Sequence, residues 1–109
     1  MDKINVSDEQ VRSVLRTVAL ERPEYVYDEQ DEDGSCQYVN NGAPSCLVGH
    51  VLHRLGVPLD VLREREGDKA LHVARDLLSV SDVTAGCLNR AQIRQDDGET
   101  WGDAIAGLV

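Results

Sequence analysis

A chain of 109 residues is of single-domain size, long enough to bury about two-thirds of its unfolded surface around one core. Its 41% apolar content, with no Phe, one Trp and three Tyr, requires a small core of Val, Leu, Ile and Ala. The formal charge of −9 argues against charge-driven binding of nucleic acid, no apolar run approaches the roughly 18 residues of a membrane span, and the start MDKINVSDEQ lacks the basic-then-apolar layout of a signal peptide. The expectation is one globular domain over 1–109, cytoplasmic, with neither a membrane nor a nucleic acid as partner. Three irregularly spaced cysteines fit a reducing compartment rather than a disulfide scaffold.

The charge is local. Glu24 to Gly34 holds six acids and no base, Asp96 to Asp103 holds four acids and no base, and the remainder is close to neutral. Such a distribution leaves open a basic protein partner or mimicry of a phosphate backbone.

In chain order, Ser7 with Gln10 three residues on has the spacing of a capping box, and Val11, Val14, Leu15 and Val18 then recur at helical spacing up to Pro23. This predicts an amphipathic helix of about four turns. Tyr25-Val26-Tyr27 and Cys36 to Val39 have strand composition, and the acidic segment between them ends in the turn signal Asp33-Gly34, which predicts a two-stranded antiparallel hairpin with a long acidic loop. A hairpin of that kind is marginal alone and must lie on a helix.

The stretch Cys36 to Gly56, CQYVNNGAPSCLVGHVLHRLG, organises the chain: a short strand, a tight Asn-Gly-Ala-Pro turn, and a helix from about Cys46 to Leu55. Ser45 is the expected N-cap and Gly56 the left-handed residue after the helix. At about 100° per residue, Leu47, Val48, Val51, Leu52 and Leu55 form one apolar stripe, while Cys46, His50 and His53 cluster on the opposite side. Gly49 is expected to admit the close approach of another backbone.

Val57-Pro58-Leu59 leads into a short helix to about Glu66, ended by Gly67. Asp68 is the expected cap of a further helix in which Ala70, Leu71, Val73, Ala74, Leu77 and Leu78 share a face and His72 points to solvent. Ser81 caps a helix through Val83, Cys87, Leu88 and Ala91 to about Gln95, and Thr100, with Asp103 at the box position, caps a last short helix lined by Trp101, Ile105 and Leu108. The whole reads as an α+β domain, mostly helical with about five helices, in which the lone Trp anchors the C-terminus.

Three kinds of site can be weighed. A zinc site would draw on Cys36, Cys46, His50 and His53, because tetrahedral zinc takes mixed thiolate and imidazole ligands and Cys46 and His50 stand at i and i+4. The spacing lacks the close Cys-x2-Cys knuckle that makes such a motif specific, and the simpler reading has these residues as packed or solvated helix positions. Thiol catalysis would use Cys46 as nucleophile, activated at a helix N-terminus, with His50 as base; no orienting residue is evident, so no catalytic residue is assigned. The segment EQDEDG from Glu29 to Gly34 has a partial likeness to a calcium loop, but the closing acid would fall at Asn40. Asp28, Glu29, Asp31, Glu32 and Asp33 are then either a solvated loop or a partner-binding surface. No cofactor other than zinc is suggested by the residues, and oligomeric state is not legible.

The strings YVNNGAPSCLVGHVLHRLG and AQIRQDDGETWGDAI resemble motifs in small uncharacterised proteins of actinobacteria and their phages, in which a Cys-x-Tyr-Val strand, a Pro-Ser-Cys-Leu-Val-Gly helix start and a Gly-x-Thr-Trp-Gly segment recur. The resemblance covers Cys36 to Ile105. It implies a phage or prophage accessory protein working in the host cytoplasm, and it supplies no mechanism.

Overall fold

The computed structural model of the chain describes residues 2–28 and 37–109. Ser7 builds the predicted capping box: its hydroxyl accepts from the Gln10 N–H at 3.0 Å, the Gln10 side chain answers the Ser7 N–H, and helix α1 (Asp8–Glu21) follows. Val11, Leu15, Val18 and Ala19 bury one face of it. The stripe that the spacing shows is therefore the face that packs.

The hairpin pairs different residues from those expected. Strand β1 (Val39–Asn40) runs antiparallel to β2 (Ala43–Pro44), and Asn41 and Gly42 between them both have positive φ, 54° and 74°. That two-residue turn needs left-handed backbone at both positions, which Asn and Gly accept at least cost. Tyr25 and Val26 turn instead to the C-terminal segment: Val26 bridges antiparallel to Thr100, and the Trp101 N–H donates to the Tyr25 carbonyl at 2.9 Å. Cys36, part of the expected strand, lies outside the described residues.

Four short helical segments and one long one complete the chain: α2 (Leu47–Arg54), α3 (Leu59–Glu64), α4 (Ala70–Leu77), α5 (Asp82–Asp96) and α6 (Trp101–Ala104). The described residues thus form six helices and one hairpin, an α+β domain of 12.3 Å radius of gyration. Helix α2 is the hub, touching α1, α3, α5 and the hairpin, and its Leu47, Val48, Val51 and Leu52 are fully buried. No described helix is long and apolar enough to cross a membrane.

Several ends differ from expectation in instructive ways. Lys69, not Asp68, holds the cap position of α4 and has no acceptor to offer, while the Asp68 carboxylate is paired with Arg65 at 2.6 Å. Helix α5 does start at Ser81, whose hydroxyl accepts from the Thr84 N–H, but its buried face is Thr84, Ala85, Leu88, Ala91 and Gln95. Val83, within the predicted helix, is 74% exposed. Trp101 docks the C-terminus as expected, 1% exposed, beside Gly102, where a side chain would collide with the backbone of Pro23.

Distant segments are tied by backbone and charge. Ile4 donates to the Leu77 carbonyl and accepts from the Ser79 N–H, which fastens the N-terminus beyond α4. The Asp8 carboxylate accepts from the Ser81 N–H at 2.9 Å, and this bond holds its pKa below the ordinary value. Glu21 is likewise lowered, chiefly by its hydrogen-bonded partner Arg54.

Candidate functional site

The N-terminus of α2 is where the sequence concentrates its chemistry, and the structure seals it. Ser45 stands one residue before the cap position, its hydroxyl 2.7 Å from that of Tyr27, both residues buried. Cys46 takes the place: its Sγ accepts from the Gly49 N–H at 3.3 Å, and its own N–H donates to the Gln37 carbonyl at 2.9 Å. The residue has no exposed surface. An oxyanion at this helix start would need free N–H groups, yet that of Gly49 is given to the Cys46 sulfur and that of Leu47 to the Gln95 side chain at 2.8 Å.

Gly49 explains how the seal is made. A Cβ built there would fall inside the contact distance of the Tyr38 carbonyl oxygen, so the hairpin strand can lie against α2 only over a glycine. Tyr38 is fixed at three points: its N–H donates to Glu66 at 2.6 Å, its carbonyl accepts from Ser45, and its hydroxyl donates to the Asp68 carbonyl at 2.6 Å.

The histidines diverge in environment. The His50 ring is half-buried and lies edge-on to Trp101 at 5.5 Å between centroids. His53 is exposed, with Nδ1 3.0 Å from the Val57 carbonyl, an acceptor that the ring meets by donating an Nδ1–H. Among the described residues no group of three His, Cys, Asp or Glu side chains converges on a point that could hold a metal ion, and Cys36, one of the four expected ligands, lies outside them. His72 stands exposed on α4, as its position predicts.

Of the expected partner-binding acids, Asp28 is described and exposed, while Glu29, Asp31, Glu32 and Asp33 lie outside the described residues. The ends of the acidic segment are well defined. Tyr25 donates from its hydroxyl to Asp28 at 3.0 Å, and its ring packs edge-to-face on Trp101 at 4.9 Å. At the far end the Gln37 N–H donates to the Tyr27 hydroxyl at 3.2 Å. Asp28 and Gln37, the described residues on either side of the segment, thus both stand at the buried Tyr27, one as its chain neighbour and the other through its hydroxyl.

One organising residue escapes the sequence reading. Gln95, fully buried on α5, accepts at Oε1 from both the Leu47 N–H of α2 and the Trp101 indole N–H at 3.2 Å, and donates to Asp96 at 2.9 Å. It joins three helices through one amide. Its signal is a polar residue continuing the Leu88 and Ala91 stripe, where only a satisfied amide is tolerated. Arg22 also gains a role that spacing does not show, stacked 4.2 Å from the Tyr25 ring and 4.6 Å from that of Trp101.

No family model, curated protein or solved structure matches this chain.

Proposed function

We propose that the protein is a non-enzymatic accessory factor that engages a basic surface of another protein through Asp28, Glu29, Asp31, Glu32 and Asp33. The observation that carries this reading is the placement of charge: five acids and no base follow Tyr27 up to Asp33, and the described residues that flank the segment, Asp28 and Gln37, are the chain neighbour of Tyr27 and a donor to its hydroxyl. Anchoring matters because a charged segment tied at both ends loses less entropy on binding than a free tail of equal charge. The likeness to small proteins of actinobacteria and their phages is in keeping with it, and makes a host protein the natural partner.

The test replaces the five acids by Asn or Gln and compares recovery of partners from a host lysate. Recovery should fall sharply and, for the native chain, weaken as salt rises, because exposed charges are screened beyond about 8–10 Å at physiological ionic strength. Unchanged recovery by the neutralised chain would show the reading to be wrong.

A further inference from the structure

Helix α5 has a second face. At about 100° per residue, Val83, Gly86, Cys87 and Arg90 fall within about 100° of arc, opposite the buried Thr84, Ala85, Leu88 and Ala91. With Asp82 and Leu108 they line a shallow groove of about 300 Å³. Val83 is the most exposed large apolar residue among those described, and a Cβ at Gly86 would meet nothing within 4 Å. The flank carries Asp82 and Arg90 at its two ends and no charged residue between them, on a chain in which 28% of residues are charged.

The order of charges along this flank says what covers it. Asp82 and Arg90 lie two turns apart, about 12 Å along the axis, too far to pair with each other. Arg90 has no ion-pair partner among the described residues, and Asp82 has only the exposed Arg75 at 3.0 Å. We propose that this face docks on the same face of a second copy, with the two α5 helices antiparallel about a two-fold axis between Gly86 and Cys87. That axis sets each Arg90 over the partner's Asp82 and Val83, and each Gly86 over the partner's Cys87, where the missing side chain lets the helices approach. A parallel pairing would set Arg90 on Arg90, so charge selects the antiparallel arrangement. One helix flank buries less than the roughly 800 Å² per partner of a standard interface, so the dimer is weak and depends on concentration.

Sedimentation velocity on the full chain tests this. The native protein should shift from monomer to dimer as concentration rises, Arg90→Asp and Asp82→Arg should each weaken the dimer by about tenfold or more, and the double exchange should restore it. Val83→Glu, at a site with no packing to lose, should abolish it without changing the melting temperature. A short bismaleimide should link Cys87 to Cys87 in a Cys36→Ser background, as read by peptide mapping. Neutralising the acids from Asp28 to Asp33 should leave the dimer intact, which separates this proposal from the preceding one. A chain monomeric up to about 1 mM, a double exchange that fails to rescue, or a Val83→Glu chain that still dimerises would each overturn it.

Discussion

Helices α2 and α5 each carry a glycine and a cysteine within one turn, and the two pairs meet opposite surroundings. In α2, Gly49 lies under the Tyr38 carbonyl and Cys46 has no exposed surface. In α5, Gly86 faces open space and Cys87 is half-exposed beside Val83. The same residue types thus serve close packing inside one helix and leave an accessible flank on the other. Which use is made depends on what the rest of the chain brings against the helix, since a glycine offers room without specifying what fills it.

The comparison breaks most visibly at the residue that links the two helices. Gln95→Leu keeps the volume but leaves the Leu47 and Trp101 N–H groups buried without their acceptor, and should cost about 2–4 kcal/mol by urea denaturation. A loss below about 1 kcal/mol would mean that the amide is not what holds α5 to α2.

The glycines give the next effect, and with opposite signs. Gly49→Ala should destabilise by about 1–3 kcal/mol, because the Tyr38 backbone must retreat, whereas Gly86→Ala should stabilise by about 0.5–1 kcal/mol through helix propensity alone. Thermal melts of the two variants side by side suffice. If both shift the same way, the contrast between the helices is not one of packing.

The smallest effect is one of pH. Asp8 and Glu21 have their pKa values lowered in the folded state by Ser81 and Arg54 respectively, so their contributions are complete above the unfolded values. These contributions are lost as pH falls through the folded values. The melting temperature should be level from neutrality to about pH 5 and decline below about pH 4, and Asp8→Asn should make that decline shallower.

Much of the fold was legible because helix ends are local chemistry. Ser7, Ser81 and Thr100 cap as their spacing predicts, and Gly56 and Gly67 take the positive φ that ends a turn. The candidate site was legible only in part. The Cys46 and His50 positions on α2 follow from periodicity, but their surroundings do not, because Tyr27, Gln37, Tyr38 and Trp101 come from elsewhere in the chain.

What the sequence determined by itself, then, is the set of helices, the caps Ser7, Ser81 and Thr100, and a tight turn at Asn41-Gly42, each fixed by side chains within a few residues of one another. Only the tertiary structure decided that Cys46 caps α2 in place of Ser45, that Val26 pairs with Thr100, and that Gln95 serves two helices at once. The reason is competition for partners. A donor or acceptor has several local candidates of similar energy, and the choice among them falls to whichever distant group arrives in the folded state with the better geometry.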